Sequence, residues 1–153
     1  MKFYLPFFVV IMMCTMLLSA VHSEEVAEPT LVIEMLNKRD KEKMLYSDEL
    51  VRVEVGDTIS WVPTSKGHNV QFVSVPEGVE KVKSKLSKEF SYTFEQEGAY
   101  LYVCTPHASM GMIGVVIVGN TPTDINLDEV KKYKFRGKSK KKFKKILKLL
   151  EDV

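Results

Sequence analysis

Short segments that alternate or stay apolar, each ended by a turn signal, leave the middle of this chain few options other than packed β-sheets. Leu50-Val51-Arg52-Val53-Glu54-Val55 alternates strictly, with Val51, Val53 and Val55 on one face, the period of a half-buried strand. Gly56-Asp57 turns the chain into Thr58 to Val62, where Ile59 and Trp61 take alternate positions. Leu31 to Leu36, Asn69 to Val75, the Phe90-Tyr92-Phe94 alternation, Ala99 to Cys104 and Met112 to Val118 read as further strands. Asn37 to Lys43 reads as a charged loop, and Val79 to Leu86, with Val79, Val82 and Leu86 at helical spacing, as a short helix or turn. Six or seven strands so punctuated predict an all-β sandwich.

The sandwich has to support one chemically dense stretch, Cys104-Thr105-Pro106-His107-Ala108-Ser109-Met110-Gly111-Met112. Cys104 closes a predicted strand and Met112 opens the next, so the flanking strands are expected to be antiparallel neighbours. Together with His68, where a loop enters the Asn69 strand, the stretch offers a thiolate, two imidazoles and a thioether. That is the ligand set of a blue-copper electron-transfer site. Pro106 has no N–H and stiffens the turn, which also removes a donor from the neighbourhood of the sulfur. Gly111 permits the tight turn that brings Met112 back toward the metal.

Each residue alone has a plainer reading: Cys104 as buried core, His68 as a loop residue, Met110 and Met112 as apolar packing. The spacing and the scarcity of alternatives decide against these. Soft sulfur ligands exclude magnesium, calcium and manganese. Zinc competes, but structural zinc sites ordinarily take four strong Cys or His ligands, and this chain brings three and a methionine.

The scarcity follows from the N-terminus. Lys2 precedes an apolar run from Phe3 to Ala20, no acid occurs before Glu24, and Ala20 and Ser23 are small, which together describe a secretory signal over residues 1–23. A cut after Ala20 is the alternative, and a retained membrane anchor the competing reading, because the run approaches the roughly 20 residues that span a bilayer. Cys14, preceded by the bulky Met12-Met13, does not fit a lipoprotein signal. With residues 1–23 removed, Cys104 is the sole thiol, so it has no internal disulfide partner. His68 and His107 are then the sole histidines.

After Gly119 the pattern changes, so the sandwich is expected over 24–120 and a helical extension packed on it over 121–153. Thr123 to Lys132 predicts one helix. Gly137 ends it, Ser139 is placed to cap a second, and Phe143, Ile146, Leu147 and Leu150 follow the spacing of one helix face. Charge is asymmetric: residues 24–127 hold ten basic and sixteen acidic residues, a balance of −6, and residues 128–153 eleven and four, a balance of +7. A basic end admits nucleic acid or an anionic membrane surface. Export disfavours nucleic acid, and the plainer account is a solvated helix face.

At several of these positions the sequence resembles the cupredoxins, and within them the pseudoazurin subfamily. The likeness runs through Met35-Leu36-Asn37-Lys38, Gly56-Asp57-Thr58, Lys66-Gly67-His68-Asn69-Val70, Pro76-Glu77-Gly78, Gly98-Ala99-Tyr100-Leu101, the Cys104–Met112 loop and the strand to Gly119. The resemblance implies a Greek-key sandwich with two C-terminal helices and one copper ion held by His68, Cys104, His107 and Met112, the axial role falling to Met112 rather than Met110. It implies that Asn69 braces the ligand loop by hydrogen bonds, with its N–H approaching the sulfur. It further implies a periplasmic carrier that docks transiently with copper or haem nitrite reductases and c-type cytochromes, through an apolar patch around the histidine edge. Lysines ring that patch in the family; here Lys38, Lys66, Lys83 and Lys85 are the candidate members, while Val103 stands where relatives often carry lysine.

Rival functions make different demands. A multicopper oxidase or nitrite reductase needs several more histidines than this chain has. A copper store or delivery protein remains an alternative, although Met35, Met44, Met110 and Met112 form no repeated methionine-rich tract. A metal-free binding sandwich leaves the ligand set unexplained.

Overall fold

The computed structural model describes residues 28–119 and 126–151; the predicted export signal, and Thr123, Asp124 and Ile125 of the first predicted helix, lie outside them. Among the described residues eight strands form two four-stranded sheets: β1 (Leu31–Arg39), β2 (Glu42–Tyr46), β3 (Leu50–Val53), β4 (Thr58–Val62), β5 (Gln71–Ser74), β6 (Phe90–Thr93), β7 (Gly98–Val103) and β8 (Ile113–Val118). The first sheet has the order β2-β1-β4-β6 and the second β3-β8-β7-β5. β1 runs parallel to β4 and β3 parallel to β8, with the remaining pairs antiparallel. Two helices follow, α1 (Leu127–Lys132) and α2 (Lys138–Glu151).

Alternation along the strands divides the interior in two. Tyr100 and Tyr102 of β7, with Val116 and Val118 of β8, meet Ile33, Met35, Ile59 and Trp61 of the first sheet. Ala99, Leu101, Val103, Ile113, Val115 and Ile117 point the other way and are covered by Leu127, Val130, Phe143, Ile146 and Leu150 of the helices. The second sheet is therefore buried on both faces, which is why β7 and β8 read as almost unbroken apolar runs. The C-terminal helices form a third layer over that sheet and are covalently continuous with it through residues 119–126.

Several expectations need correction. Asn37–Lys43 is no loop: β1 continues to Arg39 and pairs with β2, Lys38 opposite Lys43 and Arg39 opposite Glu42. The turn passes through Asp40 at φ 54°, a conformation that aspartate tolerates better than most residues. Charged side chains on both strands hid the alternation. Val79–Leu86 is not helical either. It lies extended beside β5, where the Phe72 N–H donates to the Val82 carbonyl (2.9 Å) and the Ser84 N–H to the Val70 carbonyl (2.8 Å). β3 stops at Val53, leaving Val55 half exposed, and β5 is shorter than predicted, with an irregularity in register between Phe72 and Ser74. Ser139 does not cap α2; it lies within the first turn, fully buried.

Candidate metal centre

β7 and β8 pair along their whole length, from Gly98 opposite Val118 to Val103 opposite Ile113. The segment joining them is therefore held at both ends. It contains a 3₁₀ turn from Thr105 to Met110, with Pro106 in its first turn and Gly111 closing it at φ 109°. Only glycine adopts that value without strain. Three backbone bonds draw the loop into a ring: Cys104 N–H to the Met112 carbonyl (3.0 Å), His107 N–H to the Cys104 carbonyl (3.0 Å) and Met112 N–H to the His107 carbonyl (3.3 Å).

This folding brings His68, Cys104 and His107 together, all three donor atoms within 4.8 Å of one another. The Nδ1 atoms of the two histidines are 3.2 Å apart, and Cys104 Sγ lies 3.7 Å from His68 Nδ1 and 3.4 Å from His107 Nδ1. A point equidistant from the three lies about 2.0 Å from each, close to the usual metal–imidazole distance of roughly 2.0–2.1 Å. A metal–thiolate bond is longer, about 2.3 Å, so an ion held by all three donors sits away from the centre of the triangle. The space between them is that of one small ion, and the sulfur makes it a soft site. Met112 is fully buried in the same cluster as Cys104, and its backbone bonds to both Cys104 and His107. Met110, by contrast, is 42 % exposed.

The tautomer of His68 suits metal binding. His68 Nε2 is 2.8 Å from Asn37 Oδ1; an amide oxygen only accepts, so the proton resides on Nε2 and the Nδ1 lone pair faces the centre. Asn37 is the residue that reasoning from sequence missed as part of the site. A single asparagine in a strand, 31 positions from the histidine it orients, leaves no spacing signature, and only its place in the Met35–Lys38 likeness marked it.

Asn69, 1 % exposed, is tied to the start of the loop: its Oδ1 accepts from the Thr105 N–H (2.8 Å), and its Nδ2 donates to Thr105 Oγ1 (3.1 Å) and the Ser84 carbonyl (3.3 Å). Its own carbonyl accepts from the Tyr46 hydroxyl at 2.7 Å. Burial raises the Cys104 thiol above its ordinary pKa, partly offset by the N–H groups of Asn69 and His107 directed at the sulfur. Burial, reinforced by the neighbouring His107, lowers that of His68. The metal-free site therefore favours a protonated thiol and neutral His68, so metal uptake must release the thiol proton.

Lys38, Lys66, Lys83 and Lys85 are all exposed. Each sits close in sequence to a residue engaged with the centre. Lys38 follows Asn37, Lys66 precedes Gly67-His68, and Lys83 and Lys85 flank Ser84, the partner of Asn69.

Comparison with known proteins agrees with this geometry. The family model for copper binding proteins of the plastocyanin/azurin family matches residues 33–119. Pseudoazurin of Paracoccus pantotrophus is 42 % identical over 112 residues, covering 72 % of this chain and 76 % of that protein. The solved structure of native pseudoazurin from Hyphomicrobium denitrificans superposes with a TM-score of 0.70 at 41 % identity, over 80 % of this chain and 96 % of that one. Pseudoazurin from Methylobacterium extorquens AM1 gives 0.72 at 33 % identity, over 78 % and 98 %.

Proposed function

We propose that this chain, which belongs to the plastocyanin/azurin family of copper-binding proteins, is a periplasmic single-electron carrier of the pseudoazurin kind, its one copper held by His68, Cys104, His107 and Met112. The observation that supports His68, Cys104 and His107 as ligands is the triangle of their donor atoms, 3.2 to 3.7 Å on a side, where a loop tied to itself and to Asn69 meets His68. Met112 is assigned from its burial beside Cys104 and its place in the loop. Copper bound there supplies a Cu(II)/Cu(I) couple, and a thiolate with two imidazoles and a weak thioether suits both states. The role of the protein is to keep those donors still. Asn37 fixes the ring of His68, Asn69 fixes the start of the loop, and the β7–β8 ladder fixes its two ends, so little rearrangement accompanies a change of charge.

Electrons leave and enter through His107, the partly exposed ligand, beside the exposed Pro106 and Met110. Residues 1–23 direct export, 24–120 form the electron-transfer domain, and 121–153 form the extension on its second sheet. The acceptor is a copper or haem nitrite reductase, with c-type cytochromes as further docking partners. Lys38, Lys66, Lys83 and Lys85 steer the encounter with an acidic rim on the partner.

Stopped-flow mixing of the reduced copper protein with a purified nitrite reductase tests this. The second-order rate constant is expected to fall steeply with added salt, and replacing the four lysines by glutamine to lower it about 10-fold or more, at the low end of steering effects of 10–10³. A rate insensitive to both salt and the substitutions would exclude these lysines as the docking ring. Absence of any transfer would exclude the partner.

A further inference from the structure

The start of α2 makes contacts with the ligand loop that a helix merely covering a sheet would not make. Ser139 is fully buried in the first turn, and its hydroxyl donates to the backbone carbonyl of Ala108. Two residues earlier, Gly137 (φ 59°) lies so close to the Ser109 carbonyl that a Cβ there would collide with backbone. The side chains of Lys138 and Lys142 close over Gly111, within 3.6 to 3.9 Å of where a Cβ would stand. Lys142, only 19 % exposed, is paired with Glu49 in the connection between β2 and β3. The first two turns of α2 are therefore fixed to the sandwich through Lys142 and to the ligand loop through Ser139.

From these contacts we infer that Ser139 is a positioning residue for His107, acting through the Ala108 carbonyl. The inference rests on the copper reading of the site. The Ala108 carbonyl belongs to the second peptide after His107. Within the loop, the Cys104 carbonyl is engaged by the His107 N–H and the His107 carbonyl by the Met112 N–H, whereas Ala108 finds its partner on α2. A 3₁₀ turn has poorer hydrogen-bond geometry than an α-helix, and Thr105, Pro106, Ser109 and Met110 are exposed. Asn69 holds the loop at Thr105 and Ser139 holds it at Ala108, so His107 is bracketed by two side chains from outside the loop. The C-terminal extension is thereby part of what keeps the partly exposed ligand in place, and the buried serine, which has the look of a helix cap in sequence, serves the loop instead.

The test compares Ser139→Ala, Ser139→Thr and Leu150→Ala in the full protein. Leu150→Ala weakens α2 at its far end without touching the loop. Copper transfer to a chelator, reduction potential and amide hydrogen exchange over residues 107–112 of the copper-free protein are measured, with urea unfolding as the measure of general stability. Ser139→Ala is expected to release copper about 10-fold faster, the low end of the 10–100-fold losses seen when an outer partner of a metal ligand is removed. It should also shift the potential and raise exchange in the loop. Ser139→Thr, which keeps the hydroxyl, should stay near the unaltered protein. Leu150→Ala should lower the urea midpoint and leave release and loop exchange unchanged.

Unchanged release and exchange in Ser139→Ala, or equal effects of Ser139→Ala and Leu150→Ala, would overturn the assignment, as would Ser139→Thr behaving like alanine. If the unaltered protein takes up no copper, the copper reading fails. The exchange arm, measured without metal, still decides whether Ser139 holds the loop.

Discussion

Cys104→Ser is expected to fold and to lose the intense visible absorption of the copper-loaded protein completely. Among the described residues Cys104 is the one free cysteine, fully buried at the end of β7, with N–H groups of Asn69 and His107 directed at its sulfur. Serine fits the same space but offers a hard oxygen where a soft thiolate is needed. Such absorption arises from thiolate-to-copper charge transfer, so no neighbouring residue substitutes for the sulfur. The thermal melt should respond in parallel. A ligand bound to the native state alone stabilises it by about 2.7 kcal/mol at a hundred-fold excess over Kd, and most of that copper-dependent gain should vanish in the variant. A visible band that survives Cys104→Ser would place the thiolate elsewhere.

The largest effect on stability is expected from Trp61→Ala. Trp61 is fully buried in β4 and lies at the meeting point of the two sheets. Its ring stacks on Phe90 (5.8 Å, 28°) and meets Tyr102 (5.3 Å), Phe72 (6.2 Å) and Phe94 (6.4 Å) edge-on. Truncating a buried tryptophan removes the transfer free energy of the ring and leaves a cavity, together about 3–5 kcal/mol. Tyr102 and Phe72 are cross-strand partners held in the β5–β7 ladder of the second sheet. Urea unfolding monitored by far-UV circular dichroism, with apo protein in both cases, measures the difference. A loss below about 1 kcal/mol would mean that the sheets do not close on Trp61 as described, given the usual range for such truncations.

Legibility in the sequence followed how visibly each residue's burial was patterned. β4 was recognisable because Ile59 and Trp61 alternate and both are buried, and β7 and β8 because they are apolar on both faces. The ligand loop was recognisable because chemistry, not periodicity, marks it. The β1–β2 hairpin escaped because Lys38, Arg39, Glu42 and Lys43 are all exposed, so nothing alternates. Val79, Val82 and Leu86 imitate a helix face, yet Val79 and Val82 pack against the core from an extended strand edge and Leu86 is 56 % exposed. There, tertiary hydrogen bonding to β5 outweighs a local pattern of only three residues. Asn37 and Ser139 escaped for another reason. Each meets the site across some 31 positions of sequence, and a single polar residue carries no sign of so distant a partner.

The basic C-terminal helix has a position in this account that its composition did not foretell. Its apolar face, Phe143, Ile146 and Leu150, is consumed in covering the second sheet. Its first turn braces the loop, and most of its lysines remain in solvent. Sequence alone separated the sandwich from the extension; the contacts of Ser139, Gly137 and Lys142 join them.

Titration of the purified, metal-free protein with Cu(II), followed by visible absorption and then by addition of a reductant, reads the redox centre itself. A blue or green band is expected to grow to saturation at one equivalent of copper and to bleach on reduction. A protein that stays colourless while binding copper, or that holds only Cu(I) or zinc, would contradict the electron-carrier reading.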